Sequence, residues 1–545
     1  MTALMEKTET KVNSTDFFNP YIQGEDEIFY KTVKTFGIER VLPTAVERDL
    51  NCEWSTKLWE ELSSMGLAGI PVPEKYGGQG GSCLQTCLSL EAFSAGSLDG
   101  GFSLSWGAHM VIGTLPILLF GTEEQKQRYL PSLASGEKMA GFGLTEPGSG
   151  SDAASMITSA VKTDKGFLMN GSKLYITNGP VGHVFVTMAR TKKSRGPMGV
   201  SAFLVESTTP GFSVSKVLKK LGHNTSTTAE LSFSDMHLPE DSLLGPLDSG
   251  FMRIGRATLE WERTVLVVGN VGAMEFSLEQ GLRYAREREQ FSKPILSFYA
   301  IREKLAKNWV FMQAARRYVY FVARQKDKGF SLPLESSLIK LFSSEIAEQV
   351  SSESVQLHGG MGYMKEMHVE RFYRDCKLGT IGGGTSEIQR SIIASTLRDF
   401  KSLQSNLHSA YDEAVRQKAA SLAGGLPEYE IVDLMATSIK NLEKNTQKKN
   451  NQPIEFAFAD LVTAYSVLQV SCYDLAIEHG HYCFEQKCND FRLLTQLLLH
   501  RYLPSFKVLS LIEGQNIKKL IQLFLDLPDP EIFVDKTVTY ITDHV

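Results

Sequence analysis

The sequence predicts an α+β chain in which a helical region, a sheet region and a second helical region follow one another, with further helices beyond them. Three observations carry this expectation. Apolar residues recur at three- and four-residue steps through residues 25–140 and 251–400, the spacing of one helix face. Between residues 141 and 250 that spacing gives way to short alternating runs rich in Val, Ile, Phe and Thr, separated by Gly, Pro and Asn. Helical spacing then returns across residues 401–545.

Residues 1–24 read as a polar N-terminal tail. In residues 25–140, helices are expected at Thr56–Met65, Leu84–Ala95 and Val111–Leu119, with a turn-rich loop from Pro71 through Gly81. Thr122 suits a helix cap ahead of Glu123 and Gln125. The runs at Lys173–Thr177, His183–Ala189, Ser201–Glu206 and Ala229–Phe233 are expected to form an antiparallel sheet unit. Long helices are expected at Arg253–Arg286, Tyr299–Lys326, Leu334–Leu357 and Ser386–Phe400. Beyond residue 400 come Ser402–Leu422, Pro453–Glu478, Asn489–Tyr502 and Ile517–Leu525, with a polar linker at Lys440–Gln452.

With 57 basic and 62 acidic residues and 42% hydrophobic residues, the chain is neither disordered nor a basic nucleic-acid binder. The segment 401–545 carries 14 basic against 18 acidic residues, so it is not a nucleic-acid arm either. No uninterrupted apolar run is long enough to suggest a transmembrane span, and the mixed-charge N-terminus does not resemble a secretory signal. The seven cysteines lack CxxC spacing and read as reduced thiols, with no metal site expected and a cytoplasmic location. Cys83 and Cys87 share a helix face and read as buried sulfur.

Four segments carry chemistry. In Gly143–Ser155, glycines Gly148 and Gly150 allow a tight backbone, and Thr145 and Ser151 supply small donors suited to a planar polar ligand. Gln356–Tyr363 contains paired glycines of the kind a pyrophosphate approaches. Arg286–Phe291 sets a cation beside an aromatic at the end of a long helix. Ile381–Arg390 is a glycine loop running into a helix.

Together these segments resemble the acyl-CoA dehydrogenase family over roughly residues 25–400, with shorter matches at Tyr175–Gly179 and Pro73–Gly78. The resemblance implies an N-terminal helical domain (25–140), a middle β-barrel-like domain (141–250) and a C-terminal four-helix bundle (251–400), followed here by an additional helical domain (401–545). It also implies bound FAD in a homodimer or homotetramer. Thr145, Ser151, Tyr175 and Thr177 match flavin-contacting positions. Arg288, Phe291, Gln356 and Gly360 match positions that hold pyrophosphate and adenine across a subunit interface, and Thr385 and Glu387 match a loop near the ribityl chain and phosphates.

The implied reaction is α,β-dehydrogenation of an acyl thioester, either acyl-CoA or an acyl group on a carrier protein. Electrons would pass to an electron-transfer flavoprotein or to oxygen. Its base should be a desolvated carboxylate with raised pKa, and the thioester oxygen needs positioned donors. Many members carry the base in the loop where this chain has Gly383. Glu262 matches the alternative position on the long helix, as in the isovaleryl-CoA branch, and Glu260 should face elsewhere. The rival expectation makes Glu262 a surface carboxylate paired with Arg263 or a residue one turn away.

Gly383 keeps an N–H for the thioester oxygen, Ser151 and Arg263 match substrate-side positions, and Gly382 leaves room for a branched acyl group. Ser105–His109 also looks like the isovaleryl-CoA branch. Asn224, Tyr299 and Ser292 depart from the family pattern, which has Arg, Gln and Gly there. The helical extension is expected to resemble only that of very-long-chain members. Two other functions remain open at this stage: a flavin monooxygenase of the same fold, and an interaction scaffold.

Overall fold

The computed structural model describes residues 19–194, 196–397, 400–409, 411, 413–424, 426–446, 451–477, 484–512 and 514–544. Most of the 1–24 tail, residues 447–450 of the expected linker, and Cys483 lie outside them.

The first helices are placed by side-chain caps. Ser82 and Gln85 form a reciprocal capping box at Cys83–Ser97, and Thr122 and Gln125 do the same at Glu123–Ala134. Asp99 accepts from the Phe102 N–H at 3.0 Å to start the next helical stretch.

The middle region is an eight-stranded sheet: β1 (Ala140–Gly143), β2 (Ser159–Thr163), β3 (Gly166–Thr177), β4 (Val184–Arg190), β5 (Val200–Glu206), β6 (Phe212–Val217), β7 (Thr228–Leu238) and β8 (Leu243–Leu244). The spatial order is β6-β7-β3-β2-β4-β5-β8, with β1 attached to β4. Most pairs are antiparallel, but β1 runs parallel to β4 and β2 meets β4 in parallel at Ser159–Arg190. The antiparallel expectation is corrected there, because alternation reports which face is buried and not the direction of the neighbour.

The C-terminal bundle contains Arg256–Val265, Val268–Glu287, Tyr299–Asp327, Pro333–His358 and Ser386–Thr396. The expected single helix Arg253–Arg286 is broken at Leu266–Val267. Thr264 donates its hydroxyl to the Glu260 carbonyl at 2.9 Å just before the break, a contact that bends helices.

Bundle and N-terminal helices share one core. A Cβ built on Gly272 would sit 2.0 Å from the Glu91 carbonyl oxygen, so only glycine permits that helix approach. At the same junction Arg316, fully buried, is bonded to Glu91 (2.7 Å) and to Glu275. Lys34 adds bonds to Glu275 at 2.8 Å and Glu279 at 2.9 Å. Removing one member of such a buried network costs about 3–5 kcal/mol, because its partner stays buried and uncompensated.

Beyond the bundle lie Phe400–Ser409, Glu413–Ala423, Pro427–Thr446, Gln452–Asp474, Phe484–Leu509, Gly514–Leu525 and Glu531–His544. The expected Ser402–Leu422 helix is two helices, and Pro427–Thr446 and Glu531–His544 were not anticipated. The polar stretch read as a linker is helical through Thr446, and Lys440 and Asn441 within it are exposed. These helices pack on the bundle: Trp309 donates to Asp490 at 2.8 Å, and Arg390 bonds Asp460 at 2.8 Å. Leu493, Leu494, Leu498 and Leu499 are core residues, whereas Leu525 is 67% exposed.

Gly100–Phe120 and Gln452–Asp474 are each long and apolar enough to cross a membrane, and 72% and 94% of their apolar windows are buried inside the fold, as in core helices. Cys83 and Cys87 are buried free thiols, while Cys52 is exposed.

Candidate active site

Of the four charged side chains on Arg256–Val265, Glu260, Glu262 and Arg263 go to different destinations. Two residues along a helix turn the direction by about 200°, so Glu260 and Glu262 face opposite ways. Glu260 bonds Lys326 at 2.6 Å and also accepts from the Leu332 N–H at 2.8 Å and the Ser331 hydroxyl at 3.0 Å. Glu262 is partly buried, and its carboxylate has no hydrogen-bond or ion-pair partner among the described residues. The expected local pairing with Arg263 is absent. Burial pushes the Glu262 carboxyl above its ordinary value, with the nearby Arg263 and Lys340 charges pulling the other way.

The glycine loop comes to this carboxylate. A Cβ built on Gly383 would lie 3.4 Å from Glu262 Oε1, so the loop position and the helix position are two routes to one point in space. Gly383 (φ +65°) and Gly384 (φ +100°) occupy left-handed backbone that side chains disfavour. Arg263 does not pair with Glu262; its Nε donates to the Gly383 carbonyl at 3.0 Å. Gln389 donates to the Gly383 carbonyl at 3.0 Å and the Gly384 carbonyl at 3.1 Å, and Lys340 to the latter at 2.5 Å. Sequence reading missed Gln389 and Lys340. One lies inside the recognised Ile381–Arg390 segment, but nothing in the order of residues signals that the other points at the loop. Gly382 is exposed, with Leu378 as its nearest neighbour.

Thr385 caps Ser386–Thr396 by accepting from the Ile388 N–H at 3.3 Å. Glu387 follows, its carboxyl held below its ordinary value by its own backbone N–H and the Thr385 hydroxyl. Beside them opens a cavity of about 710 Å³, lined by Thr385, Ser386, Glu387, Tyr373, Lys377 and Arg501, the last from the C-terminal extension.

The Gly143–Ser155 segment is pinned to β3. Buried Glu146 accepts from the Ile157 and Thr158 N–H groups at 2.7 and 3.0 Å and from Lys173 at 2.7 Å. Burial lowers the Lys173 pKa to about 8. The Thr145 carbonyl accepts from the Leu174 N–H at 2.8 Å, and Ser151 is exposed. The expected tight backbone is present, with Glu146 and Ser149 exchanging N–H to carbonyl bonds at 3.1 Å across Pro147–Gly148, but it does not require glycine: neither Gly148 nor Gly150 has positive φ, and a Cβ on either would meet nothing within 4 Å. Their contribution is open space in front of the backbone. Tyr175 is 66% exposed at φ +62°, where the β3–β7 register shifts, and Thr177 pairs with Thr228.

Arg288, Gln356 and Gly360 are exposed, and Phe291 is 87% exposed. They belong to the ends of two adjacent bundle helices, joined by the Tyr284–His358 ring contact at 4.8 Å. Ser292 keeps the left-handed φ of +61° that glycine favours, so the backbone form survives the side-chain departure. Asn224 and Tyr299 are both partly buried. His109 is structural: its ring accepts from the Ala140 N–H at 3.0 Å and contacts the Leu133 carbonyl at 3.1 Å, and burial lowers its pKa to about 4.

Family models for the acyl-CoA dehydrogenase N-terminal, middle and C-terminal domains match residues 23–137, 141–236 and 248–397. The chain belongs to the acyl-CoA dehydrogenase family. A Bacillus subtilis (strain 168) acyl-CoA dehydrogenase is 41% identical over 69% of this chain and 99% of its own length. A mitochondrial isovaleryl-CoA dehydrogenase of Solanum tuberosum is 38% identical over 68% of this chain and 89% of its own. A Bacillus anthracis acyl-CoA dehydrogenase solved with FAD aligns at TM-score 0.82 and 30% identity over 97% of this chain and 96% of that one.

That last coverage includes the helices beyond residue 397. The extension is therefore shared with a bacterial family member. Family membership makes the chain an FAD-dependent oxidoreductase acting on CH–CH bonds. The residues present suit the cofactor: Asn178 Oδ1, Thr227 Oγ1 and Ser386 Oγ, at the adjoining ends of β3 and β7 and at the start of the glycine-loop helix, are buried without partners among the described residues, and Gly148, Gly150 and Gly360 front open space.

Proposed function

We propose that this enzyme α,β-desaturates an acyl thioester with Glu262 as the base. The observation carrying this reading is an unpaired, partly buried carboxylate placed 3.4 Å from the Cβ that the loop residue Gly383 lacks. Desolvation disfavours the charged carboxylate and so strengthens it as a proton acceptor. The Gly383 N–H polarises the thioester oxygen, and Arg263, by holding the Gly383 carbonyl, anchors the loop on the far side of the Gly383 Cα. FAD, when bound, supplies the acceptor for the β-hydride.

Thr145, Ser151, Tyr175 and Thr177 hold the flavin ring, and Thr385 and Glu387 the ribityl and phosphate region. Arg288, Phe291, Gln356 and Gly360 serve a neighbouring subunit's cofactor, in keeping with their exposure. Ser151 and Gly382 border the acyl thioester, and the bare Gly382 admits a short branched acyl group. The substrate is acyl-CoA or a carrier-protein thioester, the acceptor an electron-transfer flavoprotein or oxygen, and the enzyme a cytoplasmic homo-oligomer. The division is 25–140, 141–250 and 251–400, with the extension 401–545 as an additional helical domain.

The test is anaerobic bleaching of the bound flavin by a panel of acyl-CoA and acyl-carrier thioesters, with Glu262→Gln as control. Rapid bleaching of the parent and its loss in the variant support the reading. Equal rates in both remove Glu262 as base, and bleaching by NAD(P)H alone favours a monooxygenase.

A further inference from the structure

The backbone that would receive the thioester is two consecutive glycines, the most pliable dipeptide available, yet three side chains from three helices hold its carbonyls. Peptide planarity ties each carbonyl to the N–H of the next residue, so these bonds fix the two peptides that follow the Gly383 Cα. With the Gly382 N–H donating to the Leu378 carbonyl at 2.8 Å, the short stretch that carries the Gly383 N–H is anchored at both ends. Arg263 and Gln389 hold the first carbonyl, and Lys340 and Gln389 the second. Lys340 is the unexpected member. It lies mid-way along Pro333–His358, is 2% exposed, and spends its buried ammonium on one loop carbonyl, with no carboxylate in ion-pairing contact among the described residues.

A neutral amide would suffice if the only need were to hold that carbonyl. A buried cation costs more to place there, so its charge calls for a counterpart. The charged groups facing it are Glu262 and Arg263 from Arg256–Val265, Glu345 from its own helix and Glu387 from Ser386–Thr396. Glu345 is bonded to Arg390 at 2.7 Å and Arg501 at 2.9 Å, whereas Glu262 is unpaired. The unpaired carboxylate is the counterpart.

We propose that Lys340 is a positioning residue of the thioester site: its ammonium on the Gly384 carbonyl keeps the Gly383 N–H aimed at the thioester oxygen, and its charge sets the readiness of Glu262 to take the α-proton. This rests on the reading of Glu262 as base and of the Gly383 N–H as donor.

The experiment compares FAD-loaded full-length parent, Lys340→Met and Lys340→Arg in anaerobic flavin bleaching across pH. The substrate is the thioester from the panel that bleaches the parent fastest. Thioester affinity is read from the flavin spectrum, and FAD content and thermal midpoint are recorded for each protein. Lys340→Met should slow bleaching about 10- to 100-fold with thioester affinity within about threefold, since the loss falls on transition-state donors. Its acid limb should move to higher pH, because the cation that pulls the Glu262 pKa down is gone.

Burial brings the Lys340 pKa to about 8, so above that pH the parent loses the charge facing Glu262 while the amine still donates to the Gly384 carbonyl. Lys340→Arg, which keeps its charge at every pH, should stay within about threefold of the parent at neutral pH. Parent-like bleaching by Lys340→Met overturns the proposal, as does slowing with an unmoved acid limb and a proportional loss of FAD, which marks a merely structural lysine. If Glu262→Gln bleaches like the parent, or no thioester bleaches the parent, the base reading itself has failed and takes this proposal with it.

Discussion

Glu260 and Glu262 stand two residues apart on one helix and occupy opposite environments. Glu260 is closed into a pocket with an ammonium, a backbone N–H and a hydroxyl, so its charge is fully met. Glu262 faces a loop of bare glycines and meets no donor among the described residues. The first arrangement stabilises a fold. The second leaves a carboxylate uncompensated, a condition that persists at sites of chemistry because a satisfied carboxylate makes a poor base. The same contrast separates the Arg316–Glu91–Glu275 junction, saturated with partners, from Glu262.

The sharpest way to break this contrast is Glu262→Gln, which should slow flavin bleaching by about 10²- to 10⁴-fold, as loss of a general base does, while the fold is retained. Stopped-flow absorbance measures it. Next in size, Glu260→Gln strands buried Lys326 and should lower stability by about 3 kcal/mol in urea unfolding. Because Glu260 faces away from the loop, the bleaching rate per folded, FAD-loaded protein should change far less than in Glu262→Gln.

Gly383→Ala places a side chain at φ +65° and 3.4 Å from Glu262 Oε1. It should cost about 1–2 kcal/mol in the same unfolding assay, the penalty of left-handed backbone, and slow bleaching by disturbing the donor N–H. The smallest effect concerns pH. Burial raises the Glu262 carboxyl above its unfolded value, so its stabilising contribution is present below the ordinary glutamate range and is lost as pH rises through the folded value. Glu262→Gln should therefore melt at or above the parent's temperature at pH 7, with the gap closing towards pH 4. Bleaching by the parent should fall on the acid side at a pH above the ordinary glutamate range.

Much of the architecture was legible because it rests on local periodicity and caps. Thr122 and Gln125 form the box their spacing announced, and the alternating runs in residues 141–250 became strands. What escaped depends on contacts between distant residues. The parallel β1–β4 pairing has no mark in either strand, and the polar end of the helix Pro427–Thr446 reads as linker because helix propensity there is carried by few apolar residues.

The sequence by itself determined the family, the cofactor class and the two candidate positions for a base, since each is carried by short ordered motifs and by the glycine at 383. Only the tertiary structure decided that those two positions meet. It also decided that Arg263 holds the loop instead of pairing with its neighbour, and that a lysine 78 residues beyond Glu262 holds the loop's second carbonyl. The reason is physical: a motif can specify which group is present, but a carboxylate's readiness depends on which donors packing brings near it and which it keeps away.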